Sequence, residues 1–241
     1  MLYALTPDNR HVAATPNLRG RNCLCPSCQA PVIPHCGPLV SWHWAHRAND
    51  CDPWSEPESN WHLAWKRAAV ADRGARVEVP LTYRGASHRA DIVLSSGIVI
   101  ELQHGYLAAD EIVRRERFWV GTGHKLIWLY DANRFANHLH HGPRGFWWKH
   151  GARSMVTHTC PVWWHVGEEV WRIRLNEVRR DTGRRILGRV TAVSPVRDRF
   201  PSLDLRGHHR ARPTSMLTDS LWHAVVEHEP GCPAIDLGES A

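Results

Sequence analysis

Two acidic residues stand ten positions apart in this 241-residue chain, Asp91 in Arg-Ala-Asp-Ile-Val-Leu and Glu101 in Ile-Val-Ile-Glu-Leu-Gln. Two strands joined by a turn at Gly97 would bring these carboxylates together. Glu101 and Gln103 lie two apart, so in a strand both emerge on one face while Ile100 and Leu102 take the other. A charged pair beside an apolar wall suits a hard divalent cation. Mg²⁺ (or Mn²⁺) takes oxygen ligands in octahedral geometry and keeps several waters, so Asp91, Glu101 and the Leu102 carbonyl suffice and leave positions for phosphate and water. Taken in isolation, such a pair is more often two polar residues at strand ends.

Glu58, His62 and Lys66 fall at i, i+4 and i+8, which on a helix puts them along one face. One polar stripe could thereby face the metal; its bland alternative is a solvated network of ion pairs. A third constellation is Cys25, Cys28, His43 and His46, two pairs of x2 spacing separated by fourteen residues. Two thiolates and two imidazoles suit tetrahedral Zn²⁺, and four protein ligands would make the site structural. Cys23, His35, Cys36 and Cys51 stand nearby as alternative ligands. Trp42 and Trp44 either pack around this module or stack on bases, and packing is the commoner use.

The elements that must position these residues follow from periodicity and punctuation. Residues 1 to 22 suit a strand or two with turns, and residues 23 to 51 are too poor in aliphatics to make a core of their own. A helix is predicted from Glu58 to Ala71, started by Ser55 and Pro57 and ended by Gly74, with Trp61, Leu63, Trp65, Ala68 and Ala69 packing. Strands are expected over 75–83, 89–95 and 97–103 with turns at Gly85 and Gly97. A helix from Leu107 to Gly121 and a buried strand from Lys125 to Tyr130 complete the order, and that strand should pair parallel to its neighbour. Helix, three strands, helix and strand imply a mixed α/β sheet. Beyond Asp131 the tryptophans punctuate short strand-like pieces. The basic run Arg179 to Arg189 suits a hairpin turning at Asp181–Gly183, and Thr214 to Glu229 suits a helix.

The composition sets outer bounds. The chain carries 13 Trp, 18 His and a formal net charge of +6, which makes a polyanionic partner plausible without demonstrating one. No apolar run of membrane-spanning length occurs and Met1 to Arg10 has no signal-peptide character, so a soluble cytoplasmic protein is expected. Five of the seven cysteines crowd into the first 51 residues, which favours metal ligation over a disulfide framework.

From about Cys25 to Tyr130 the chain resembles the competence-protein CoiA-like nucleases of the PD-(D/E)XK superfamily. The resemblance rests on Cys25-Pro-Ser-Cys28, His43-Trp-Ala-His46, Glu58-Ser-Asn-Trp-His62 with Lys66, Arg89-Ala-Asp91 and Glu101-Leu-Gln103. It implies a restriction-endonuclease-like core over residues 55–135; the cysteine and histidine cluster marks residues 1–54 as a zinc module, and the Trp-rich, basic region at 136–241 lies outside the resemblance as an accessory region. In that core Asp91 and Glu101 would hold the metal, and Glu58 would add a ligand or orient a water. Gln103 stands where the superfamily usually has lysine. It can orient water but offers no positive charge, so Lys66 is expected to supply the cation, with His62 a rival for proton transfer.

The expected reaction is Mg²⁺-dependent phosphodiester hydrolysis by an endonuclease or nickase, with DNA as the polymer that the resemblance implies. Its setting would be DNA uptake and recombination or defence against foreign DNA. Arg89, Arg114 and Arg115 are the candidates for phosphate contact. A homodimer and partner proteins both stay open, and no membrane is involved. Two rival readings are a nuclease fold that binds DNA without cutting it, and a zinc-held subunit that recruits other proteins.

Overall fold

The computed structural model describes residues 1–39, 41–47, 51–133, 139–142, 145–148, 154, 157–166, 169–180 and 186–192. The expected helix at Thr214–Glu229 and the turn at Asp181–Gly183 lie outside these residues. The chain divides into two compact units that meet in sequence at Ser95 and Ser96.

The first unit opens with strand β1 (Tyr3–Leu5) antiparallel to β2 (His11–Ala13), followed by β3 (Val32–His35) antiparallel to β4 (His43–His46). Residues 1–22 and 23–51 share a small core, made of Met1, Ala4, Ala14, Cys23, Cys25, Val32 and Trp44, in which Val32 is the one aliphatic side chain from the cysteine-rich stretch. Trp44 is fully buried and its indole donates to the Val12 carbonyl at 2.9 Å, so it packs as a core aromatic with its polar edge satisfied. Trp42 remains exposed.

Helix α1 (Asn60–Arg73) begins two residues later than its sequence suggests. Its N-cap is Ser59, whose hydroxyl accepts the His62 amide at 3.3 Å, and Gly74 closes it in the left-handed conformation at φ 58°. Trp61, Trp65 and Ala69 recur every four residues and are buried. The helix packs on a hairpin of β5 (Arg76–Tyr83) and β6 (Ala86–Val93). Arg84 and Gly85 turn the hairpin with φ of 48° and 80°, the two positive values of a type I′ turn that matches the strands' twist.

In the second unit, β7 (Ile98–Gln103) and β8 (Lys125–Asp131) run parallel, joined through α2 (Ala109–Gly121) as expected. β7 is buried along its whole length and β8 everywhere except Lys125, as parallel strands usually are. The unit adds β9 (Leu139–Gly142), β10 (Gly145–Trp148), β11 (Val162–Val166), β12 (Glu169–Arg180) and β13 (Ile186–Ala192). Its strand order is β7-β8-β11-β12-β13-β10-β9. β11 pairs parallel to β8, whereas the later pairs are antiparallel, so the sheet is mixed and the protein is α/β. The described ends of the basic run, residues 179–180 and 186–189, lie on an antiparallel pair, β12 with β13. Among the described residues no helix is long and apolar enough to cross a membrane.

Candidate metal centre and lysine–carboxylate cluster

Strand β4 decides which side chains of the amino-terminal module can share an ion. His43 and His46 lie three apart on it, and side chains of a strand alternate, so the two imidazoles leave opposite faces. The structure accordingly brings Cys25, Cys28, His46 and Cys51 together, with all four ligand atoms within 4.8 Å of one another. Cys51 takes the place expected for His43, whose Nδ1 lies 2.8 Å from the Ser41 carbonyl and whose ring sits 5.1 Å from that of His35.

The spacing fits the ion. Zinc–sulfur bonds of about 2.3 Å at tetrahedral angles place two sulfurs about 3.8 Å apart. Cys25 Sγ and Cys51 Sγ are 3.8 Å apart, and Cys28 Sγ lies 3.3 Å from His46 Nε2. Burial and the neighbouring Cys28 and Cys25 thiols push the Cys51 thiol up. All five amino-terminal cysteines are free thiols, in keeping with ligation. Cys160 is disulfide-bonded.

The same unit holds a buried charge cluster centred on Lys66. Its Nζ lies 2.7 Å from Glu58 Oε1, 3.0 Å from Asp91 Oδ1 and 3.2 Å from Glu78 Oε1, with the side chain 2% exposed. Glu58 precedes the cap and is not part of the helix, yet the chain's entry into α1 still delivers its carboxylate to Lys66. The Met1 amino group lies 3.7 Å from Glu58 and 3.9 Å from Glu78. Burial opposes the charge on Lys66, but Asp91, Glu58 and Glu78 outweigh it and hold the ammonium protonated. Burial likewise opposes ionisation of Glu58, and Lys66 with the Met1 amino group overrides it, keeping that carboxyl well below its ordinary value.

Glu58 Oε2 is buried and has no hydrogen-bond partner among the described residues. A carboxylate oxygen removed from water normally finds a donor or a cation. His62, by contrast, places Nδ1 2.9 Å from Ser59 Oγ and Nε2 3.6 Å from Glu56, an arrangement that braces the start of α1. Glu78 was not anticipated. Regular alternation between Val77 and Val79 would have put it on a solvated face.

Glu101, Leu102 and Gln103 belong to the second unit, where all three are buried in β7. Of the candidate arginines, Arg89 donates from Nη2 to Ser55 Oγ at 2.8 Å. Arg114 is exposed and pairs with Glu111 and Asp110 on its own helix. Arg115 is a correction: it is 6% exposed and its Nε donates to Glu111 at 2.8 Å, so packing removes it from any phosphate.

These features define a small β module with a three-cysteine, one-histidine metal group, joined within one unit to a buried lysine–carboxylate cluster. Residues 8–53 match the family model described as Competence protein CoiA, N-terminal domain, a span that contains all four metal-group residues. Over those residues the chain is similar to the CoiA amino-terminal domain. Searches of curated proteins and of solved structures found no match.

Proposed function

We propose that the protein is a metal-dependent deoxyribonuclease with a role related to competence. The observation that carries this reading is the placement of Lys66 Nζ 3.0 Å from Asp91 beside Glu58, whose second oxygen is buried without a partner. Gln103 stands where the superfamily pattern has a lysine, and the Lys66 ammonium, held at Asp91 by a helix, would replace that cation.

The residues present suit a hard cation, because every candidate ligand atom is an oxygen. Asp91 would hold Mg²⁺, and Glu58 Oε2 would ligate it or orient a water; the Glu101 carboxylate and the Leu102 carbonyl stay the further ligands that the family resemblance implies. When bound, the ion would polarise the scissile phosphate and lower the pKa of a water. Lys66 stabilises charge that builds on the phosphate, and Gln103 orients water through its amide. Zn²⁺ in the Cys25, Cys28, His46 and Cys51 group is structural, since no ligand position stays open. Arg89 and Arg114 remain proposed phosphate contacts.

A second reading, a nuclease fold that binds DNA without cutting it, is favoured by one observation. Three carboxylates already surround the three N–H groups of Lys66, which leaves its charge heavily compensated. Incubating the full chain with single-stranded, double-stranded and branched DNA and with RNA separates the two, using Mg²⁺, Mn²⁺ or chelator. Metal-dependent cutting lost in both Asp91→Ala and Glu101→Ala is the expected result. Cutting that survives both substitutions sinks the active-site reading, and retained binding with no cutting by the native chain favours the second.

A further inference from the structure

Glu78 sits in a strand with a backbone φ of 56°, the left-handed region in which a residue with a β-carbon is strained. Its neighbours Val77 and Val79 pair with Ile92 and Ala90, so Glu78 stands across the hairpin from Asp91. Its side chain is 5% exposed. Both oxygens lie 2.8 Å from the Leu2 amide, Oε2 also lies 3.4 Å from the Tyr3 amide, and Oε1 reaches Lys66 at 3.2 Å. Glycine or asparagine would accept this backbone with less strain. Strain of this kind persists where the surroundings over-determine it, and here they direct a carboxylate at the Leu2 and Tyr3 amides and at the Lys66 ammonium.

A lysine ammonium has three N–H donors on a flexible stem and rotates freely unless each is occupied. Glu58 Oε1, Asp91 Oδ1 and Glu78 Oε1 are three acceptors, one for each. Without Glu78, the Nζ is drawn to its shortest partner, Glu58 at 2.7 Å, and its place beside Asp91 is no longer fixed. We propose that Glu78 is a positioning residue that locks the Lys66 ammonium beside Asp91, so that its charge meets the scissile phosphate. The catalytic half of this inference rests on the nuclease reading given above; the positioning half does not.

The test begins with the native full chain, labelled for NMR at lysine nitrogens and glutamate carboxyl carbons. A hydrogen-bond scalar coupling between Lys66 Nζ and the Glu78 carboxyl carbon is expected, and its absence overturns the proposal without any variant. Glu78→Gln and Glu78→Asn follow, the second chosen because asparagine suits the left-handed backbone. In either folded variant the slowly exchanging Lys66 ammonium signal should broaden or disappear, and an unchanged signal overturns the proposal. For cleavage, kcat should fall about tenfold or more with KM unchanged, as for a displaced catalytic group. Glu78→Gln should cost nothing further in a Lys66→Met background, whereas additive losses would mark Glu78 as merely structural and overturn the inference. If the coupling and the signal depend on Glu78 but the native chain cuts nothing, the positioning stands and the nuclease reading falls.

Discussion

Asp52 Oδ2 accepts the backbone amide of Arg89 at 2.6 Å, two residues ahead of Asp91 on β6. Asp52 directly follows the metal-group residue Cys51. Its other oxygen lies 2.9 Å from the Trp54 amide and 2.9 Å from His88 Nδ1, and the Trp54 and His88 rings stack. The segment that supplies a candidate metal ligand therefore also fixes the strand that supplies Asp91. Asp52→Ala should cost about 1–3 kcal/mol in urea unfolding, the penalty for a buried amide left without its acceptor. Asp52→Asn, which keeps one oxygen, should cost less. Equal stability of Asp52→Ala and the native chain would mean that the contact does not brace β6.

Metal content distinguishes the Cys25, Cys28, His46 and Cys51 cluster from the ligand set that spacing suggests. Purified native chain should carry about one zinc ion per molecule by elemental mass spectrometry. Cys51→Ser should lose it, and His43→Ala should retain it. The reverse pattern would restore His43 as the ligand, and a native chain without zinc would remove the assignment altogether.

The contrast between those two residues shows where the sequence stops being legible. Periodicity and glycine placement located α2, the β5–β6 hairpin, the Gly74 cap and the parallel β7–β8 pair, because those signals are local. The x2 spacing of His43 and His46 carries no information about the strand they occupy, and that strand divides them. Cys51 reaches the group from a loop, at a distance in sequence that spacing rules do not cover. Lys66 and Glu58 were legible as partners although α1 starts only at Asn60, since the approach to its cap runs close to the helix face. Glu78 was hidden because its left-handed backbone overrides the alternation by which a strand is read. Arg115 was misjudged since a charged residue on an amphipathic helix can turn inward when Glu111 accompanies it.

Lys66 should be costly to remove on two separate counts. Lys66→Met leaves Glu58, Glu78 and Asp91 facing one another without their central cation, and breaking such a buried arrangement costs about 3–5 kcal/mol. Chemical denaturation should recover part of that loss at lower pH, where the carboxylates take up protons. Cleavage should fall by about 10²–10³-fold at a pH where the variant is folded, the usual consequence of losing one stabilising group at the reacting phosphate. Full activity in folded Lys66→Met would assign the catalytic charge elsewhere.

In the second unit a buried chain of polar groups links α2 to the sheet and gives stability a definite pH dependence. Glu116 Oε1 accepts from Trp128 Nε1 at 3.1 Å and lies 2.9 Å from His158 Nδ1, while His158 Nε2 lies 2.9 Å from the Tyr130 hydroxyl. Thr159 donates to Glu116 Oε2 from both its amide, at 3.0 Å, and its hydroxyl, at 2.6 Å. Burial outweighs the pull of Glu116 and lowers the His158 pKa from 6.5, so the neutral imidazole donates from Nδ1 and accepts from the tyrosine. For Glu116 burial works against ionisation, yet the bonds from His158 and Thr159 prevail and lower its pKa from 4.5. Both folded values are depressed, so in each case the unfolded chain binds the proton first and stability falls as pH falls. The His158 contribution is complete above 6.5 and declines below it, and that of Glu116 is complete above 4.5 and is lost as pH drops through its folded value. Urea unfolding followed from pH 7.5 to 4 should show this decline, and His158→Gln should flatten its upper part. A slope unchanged by His158→Gln would show that the imidazole is not the group responsible.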